Sequence, residues 1–451
     1  MNRKMRHGAK RSSVPCPFLL VVCLILACSC SLIEKSVSIV PRGDEGPKTD
    51  AIRVIFTDFR QAFANLDFAG IVEKELDADS LALMQGMRLV MAGDMAAAEF
   101  VFRKLAVTAA AAWSKVIATE ILVQVFYFQS KWKNLHEMFA PVPGANPVAE
   151  KSDLSFLELS ESMAEYYRFP DHPVVLPLEL SISGTPIVRL RINGQWEKFW
   201  LDTGSGFTVL ASDLADKLKI FPLNRTRTHA ATGFNKQVAA RLTVIETIRI
   251  GALEITRHPA MIVQKKNLFF KIPGLIQRRI TKNTGVRGIL GMNAIKNLSI
   301  RIDYRNRKII IVRPRPAGRE RNCFWMGYPI LVCRTMDGVR LNFGLDSGAK
   351  DSIISPNIFA KIKPGVTYRS RVKVWGIGGE MKIKTQVLSD LKIIAAGHSV
   401  GFKDIVVLPL NQFGFVKLDG ILGGDFFYGC GSLVFDLANG VFSIGNAHEH
   451  F

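Results

Sequence analysis

From Val175 to its C-terminus the chain repeats one pattern, and that duplication limits the possible folds more than any other feature. The run Phe199-Trp200-Leu201-Asp202-Thr203-Gly204-Ser205-Gly206-Phe207-Thr208-Val209-Leu210 returns as Phe343-Gly344-Leu345-Asp346-Ser347-Gly348-Ala349-Lys350-Asp351-Ser352-Ile353-Ile354. In each copy an apolar run delivers an Asp into a small-residue turn, and a second apolar run leaves it. A hairpin signal precedes each Asp at the same distance, Asn193-Gly194 in the first copy and Asp337-Gly338 in the second. Val188, Leu190 and Ile192 alternate with Arg189 and Arg191, the period of a half-buried strand. Leu214 and Leu218 match Ile358 and Ile362, the steps of a short helix. Gly233, in Thr232-Gly233-Phe234-Asn235, and Gly376, in Trp375-Gly376-Ile377-Gly378-Gly379, read as tips of two further hairpins. Gly288-Ile289-Leu290-Gly291 and Gly420-Ile421-Leu422-Gly423 then introduce closing strand pairs near 303–311 and 436–444. Two copies of one all-β unit, 175–315 and 316–451, account for all of these landmarks.

Upstream, the chain reads differently. Residues 1–11 carry Arg3, Lys4, Arg6, Lys10 and Arg11 and no acid, and 17–27 are apolar. A basic n-region followed by an apolar run too short to span a bilayer is a targeting segment. It ends at Ile25-Leu26-Ala27-Cys28, which resembles a bacterial lipoprotein signal. The resemblance implies that 1–27 are removed, that Cys28 is acylated (Cys30 being the second candidate), and that Ser29 directs the protein to the outer membrane, facing the periplasm. An ordinary cleaved signal, with a secreted or inner-membrane product, is the alternative. Residues 32–52 are polar and contain Pro and Gly, and 28–56 are read as a tether.

Between 57 and 168 the period is helical. Leu81, Met84, Met87 and Val90 fall at three- and four-residue steps, Gly93-Asp94 interrupts them, and 95–105 resume. A second pair is expected over 117–128 and 132–139, and a last helix over 154–167. The Gly-Asp turn followed by Ala97, Ala98 and Phe102 resembles a tetratricopeptide hairpin. Two uses for such a segment stay open: binding a protein partner, or packing as a spacer on the β units.

Composition narrows the field. Hydrophobic residues make up 48% and charged residues 22%, as in a folded globular protein. The formal charge of +20 is spread along the chain without a Lys/Arg cluster interleaved with aromatics, which argues against a nucleic-acid partner and suits a surface beside anionic lipid. Export makes disulfides chemically possible, and Cys323 with Cys333 is a pairing that spacing leaves open. No Cys/His spacing matches a zinc site.

On the paired Asp-Thr-Gly-Ser and Asp-Ser-Gly-Ala turns, the two flap-like hairpins and the two Ile-Leu-Gly stretches, residues 175–451 resemble the aspartic peptidases, the clan of pepsin and the retroviral proteases. The resemblance implies a bilobal, all-β fold behind the α-helical hairpin region. It makes Asp202 and Asp346 the catalytic pair. It gives Thr203 and Ser347 hydroxyls that bond between lobes, and makes Gly204 and Gly348 the small residues that let the turns approach. Gly233, Phe234, Trp375, Gly376 and Gly378 become flap residues over a polypeptide substrate. No metal or cofactor is required. Two carboxyls pressed together share one proton, and the charged member can activate water while the other polarises a carbonyl. A silent peptide-binding scaffold of the same fold is the competing reading.

Overall fold

The computed structural model describes residues 28–29, 37–41, 55–139, 165–181, 183–223, 228–231, 237–268, 285–316, 320–376, 379–410 and 414–445. Alternating burial along Pro186–Ile192 places Ile187, Val188, Leu190 and Ile192 in the core. The strand reverses at Asn193-Gly194, where both residues take positive φ (47° and 86°), the backbone that a tight two-residue hairpin requires. Gln195–Leu201 runs back with Ile192 opposite Gln195. In the second copy Pro329–Thr335 and Arg340–Leu345 form the same hairpin.

Beyond these hairpins the two copies share one strand arrangement. Val286–Leu290 lies parallel to Gln195–Leu201 and antiparallel to Thr208–Ala211, and the latter lies parallel to Leu253–Val263. Gly420–Leu422 lies parallel to Arg340–Leu345 and antiparallel to Ile353–Ile354, which lies parallel to His398–Val407. Parallel neighbours need long connections, and each copy supplies one as a hairpin: Gln237–Ile250 with Leu253–Val263, and Gly379–Ala395 with His398–Val407. A third, five-stranded antiparallel sheet joins the copies. Its central pairing is Ser299–Asp303 of the first with Ser432–Asp436 of the second. These strands match the two expected closing pairs.

The helical stretch contains α1 (Phe59–Ala64), α2 (Ala78–Ala92), α3 (Met95–Thr108), α4 (Ala112–Phe128) and α5 (Trp132–Phe139). Gly93 ends α2 in the left-handed region, and the Asp94 carboxylate caps α3 by accepting the Ala97 N–H at 3.0 Å. The helices pack directly on the β units. The Phe63 and Phe415 ring centroids lie 5.5 Å apart, and the Ala64 carbonyl accepts the Lys417 N–H at 2.8 Å.

Three expectations change. Tyr166–Arg168 are not the end of a helix but an edge strand paired with Leu253–Val263, where Tyr167 reaches the Glu165 carboxylate; residues 151–164 lie outside the described residues. Within the stretch read as a tether, Cys28–Ser29 and Val37–Pro41 are strands on the second β unit, paired with Thr367–Gly376 and His398–Val407. Cys323 and Cys333 are buried free thiols. Leu331 faces Cys323 across the ladder, so Cys333 is a diagonal neighbour, farther than a disulfide spans. Residues 1–27 and Cys30 are outside the described residues, and no described helix is long and apolar enough to cross a membrane.

Candidate active site

The two Asp turns are fixed from behind by the backbone. Leu201 ends a strand whose neighbour, Leu290, accepts the Asp202 N–H at 3.1 Å; Leu422 accepts the Asp346 N–H at 3.0 Å. Beyond each Asp, Ser205 O accepts the Met292 N–H at 2.7 Å and Ala349 O accepts the Gly424 N–H at 2.8 Å. The Ile-Leu-Gly stretches therefore do support the turns. Their leading glycines are dictated by space: a Cβ on Gly288 would lie 2.3 Å from the Phe199 ring, and one on Gly420 would lie 2.4 Å from Ile353 O.

The turns then grip each other across the two β units. Thr203 Oγ1 donates to Leu345 O at 2.9 Å and accepts the Ser347 N–H at 2.9 Å. Reciprocally, Ser347 Oγ donates to Leu201 O at 2.7 Å and accepts the Thr203 N–H at 3.0 Å. All four bonds are buried, so each satisfies groups that water cannot reach.

This grip seats each carboxyl against the opposing turn. A Cβ on Gly204 would lie 2.4 Å from Asp346 Cγ, and one on Gly348 would lie 2.5 Å from Asp202 Cγ. Only glycine leaves that room. Asp202 Oδ1 accepts the Gly204 N–H at 2.8 Å. Asp346 Oδ1 accepts two, from Gly348 and Ala349, both at 2.9 Å. The Oδ2 atoms are buried and take no backbone N–H from the described residues.

Burial pushes both acids up. Asp346 rises to about 6, held down by the Tyr328 phenol and its two N–H donors. Asp202 rises well above the carboxylate range, through burial and then the Asp346 charge. The two carboxyls therefore hold one proton between them and titrate as a pair.

Six predicted residues meet here: Asp202, Thr203, Gly204, Asp346, Ser347 and Gly348. The flap residues do not come into view in the same way. Gly233, Phe234 and Gly378 lie outside the described residues, although the stems of both hairpins are present, with Ala231 opposite Gln237 and Gly376 opposite Gly379. Trp375 and Gly376 are located by backbone alone, at the end of Thr367–Gly376, where Trp375 also pairs with Cys28. Among the described residues, no group of three or more His, Cys, Asp or Glu side chains could hold a metal ion.

Sequence reasoning missed a supporting layer. Behind the first turn, Asn293 Oδ1 accepts the Thr208 N–H at 2.8 Å, and Thr208 Oγ1 meets His258 Nε2 at 2.8 Å. His258 Nδ1 in turn meets Glu165 at 2.5 Å. Behind the second turn, Asp425 Oδ1 accepts the Ser352 N–H at 2.8 Å. Thr208 and Ser352, and Asn293 and Asp425, hold equal places in the two copies, so the duplication was the signal that could have found them. Tyr328, which packs against Gly344 and lies near enough to Asp346 to lower its pKa, has no such signal. Nor do Tyr127 and Lys296. Tyr127, at the end of α4, donates its hydroxyl to Gly206 O and stacks on Trp325 at 4.9 Å. Lys296 Nζ donates to Tyr127 O at 2.9 Å and Phe128 O at 2.6 Å, closing the C-terminal end of α4.

Residues 188–294 match a family model described as "Aspartyl protease". No curated protein matches the chain. Among solved structures, a retropepsin-like aspartic protease from Rickettsia conorii is similar at 17% identity, over 33% of this chain and 94% of that one, with a TM-score of 0.21. Basic 7S globulin from soybean is similar at 12% identity, over 62% of this chain and 97% of that one, with a TM-score of 0.35. The aspartic-protease-like fold rests on the family match and the strand order, not on these two superpositions.

Proposed function

We propose that this protein is an aspartic endopeptidase that hydrolyses peptide bonds with a water activated between Asp202 and Asp346. One observation carries the reading: each carboxyl is seated on the glycine of the other turn, so that two buried acids must share a proton. The charged member of the pair takes a proton from the attacking water. The protonated member donates to the carbonyl oxygen of the substrate, and no acyl-enzyme forms. The reciprocal Thr203 and Ser347 bonds keep the pair at fixed separation through the reaction. The two hairpins close over a polypeptide as flaps and exclude bulk water.

We further propose that the enzyme is anchored through acylated Cys28 at a bacterial outer membrane, facing the periplasm, on the strength of the basic and apolar leader and the residues before Cys28. The helical unit, proposed as tetratricopeptide-like, stays with the peptidase; its α4 contacts both β units through Gly206 and Trp325.

The test is a cleavage survey on a complex peptide mixture with the full chain and its Asp202→Asn and Asp346→Asn variants. Cleavage at defined bonds by the wild type alone, blocked by a statine-type peptide, is expected. Equal background from all three proteins would overturn the assignment. Fatty-acid labelling that survives Cys28→Ser would remove the proposed anchor.

A further inference from the structure

A cavity of about 580 Å³ lies at the seam between the C-terminal half of α2 and the second β unit, away from the paired acids. Its charged lining is lopsided: Arg88, Arg321, Arg334 and Arg340 against Glu320. Arg88 is already paired with Glu73 at 2.5 Å. Among the described residues, the other three make no direct ion pair that would neutralise them. Arg321 is fixed between two turns, where a Cβ on Gly93 would lie 2.4 Å from its Cζ and one on Gly440 would lie 2.6 Å away. Its Nη1 reaches Ala438 O at 3.4 Å, and its Nε is buried without an acceptor. Arg340 donates Nε to Asn342 Oδ1 at 3.1 Å, while its Nη2 is buried without an acceptor. Arg334 uses Nη1 on Gly338 O at 3.1 Å and is exposed at the rim.

Nearby acids act on these arginines through space, without a direct ion pair among the described residues. Asp67 and Asp419 attract Arg340 through space, but Asp419 is held by the buried ammonium of Lys361 at 2.8 Å, and Asp67 Oδ1 accepts the Ala69 N–H at 3.3 Å. Asp436 attracts Arg321, and its own oxygens take the Asn439 amide groups at 3.0 and 2.9 Å. Burial lowers the Arg340 pKa to about 10, as expected for a cation short of counter-charge. A buried guanidinium N–H without a partner is costly.

We propose that this seam binds a phosphate-bearing anion through Arg321, Arg334 and Arg340. A single carboxylate leaves most of the positive charge uncompensated. A phosphate group brings up to two charges and several acceptor oxygens, which suits forked donors from separate segments. The cavity is much larger than one phosphate fills, so the group is carried on a larger molecule, either a soluble phosphorylated compound or a lipid headgroup. Because α2 supplies one wall and the second β unit the other, the occupant ties the helical unit to the peptidase-like body.

The experiment uses the full chain in detergent, with inorganic pyrophosphate as probe. Thermal melts and isothermal titration are run against sodium chloride at matched ionic strength. Pyrophosphate is expected to bind saturably and to raise the melting temperature. Arg334→Gln, at the open rim, is expected to weaken binding at least tenfold while leaving the circular dichroism spectrum and peptide cleavage unchanged. Arg340→Gln is expected to remove binding. Competition by water-soluble dihexanoyl phosphatidylglycerol would identify a headgroup, and competition by glucose 6-phosphate alone a soluble compound. Equal stabilisation by chloride, or an Arg334→Gln titration superimposable on that of the wild type, would overturn the site.

Discussion

The two β units place their acids by the same route and then treat them differently. In each, an apolar strand ends at the Asp, a neighbouring Leu carbonyl takes the Asp N–H, and a hydroxyl residue at the same position anchors the exit strand. The surroundings diverge. Asp346 Oδ1 accepts two backbone N–H groups and has the Tyr328 phenol nearby, whereas Asp202 Oδ1 accepts the Gly204 N–H and is influenced by that of Ser205. Tyr328 and Thr185 each precede the Pro that opens a first hairpin strand, yet Thr185 reaches across to Gly348 O at 3.4 Å while Tyr328 serves its own unit's Asp. Behind the turns the first unit uses a neutral Asn293 with the His258 and Glu165 pair, and the second uses a buried carboxyl, Asp425, raised by burial. Near-symmetric backbones can thus hold two identical side chains in unequal electrostatic states. The pair that shares the proton is therefore not symmetric in its surroundings.

Removing either acid tests the comparison most severely. Asp202→Asn and Asp346→Asn should each lower peptide cleavage by about 10³-fold. Both native acids have raised folded pKa values, so the stability tied to their neutral forms is present below the unfolded carboxylate pKa and is lost as pH rises through the folded values. Each Asn variant should therefore melt higher than the wild type at neutral pH, with the gap closing in acid. A lower melting temperature at neutral pH would mean that the acids are not forced together.

Ser347→Ala comes next. It strands the Thr203 N–H and the Leu201 carbonyl, at about 1–3 kcal/mol for each buried group. Thr203→Val does the equivalent damage to Ser347 and Leu345, and urea unfolding should rank the two variants alike if the grip is reciprocal. Asn293→Asp copies the second unit's chemistry into the first. It removes the donor to Pro259 O (2.7 Å) and buries an acid, and should cost about 1–3 kcal/mol at neutral pH by the same measurement. The smallest effect is expected from Tyr328→Phe. Loss of a phenol that favours charged Asp346 should raise that acid's pKa above its present value of about 6 and move the acid limb of the pH–rate profile to higher pH, with little loss of stability. An unmoved acid limb would show that the phenol does not act on the pair.

Legibility varied along the chain for physical reasons. Asp202, Asp346 and their flanking Thr, Ser and Gly were readable because the turn chemistry is local and occurs twice. The helix pairs were readable from their period and from Gly93-Asp94. Tyr166 and Tyr167 read as the end of a helix because two residues carry no period of their own, and only the edge of Leu253–Val263 makes Tyr166–Arg168 a strand. Val37–Pro41 likewise became a strand through a partner far away in sequence, His398–Val407.

Residue order was enough to dictate that one β unit is built twice, that each copy presents an Asp on a turn, and that helices precede them. Those properties arise from nearest-neighbour backbone preferences and apolar periodicity, which act over a few residues. It took the folded molecule to lay each carboxyl against the other turn's glycine, to bring Tyr328 to one acid and not the other, and to close α4 with Lys296. Each of these depends on contacts between segments far apart in the chain, whose energies are set by burial and geometry that no local pattern encodes.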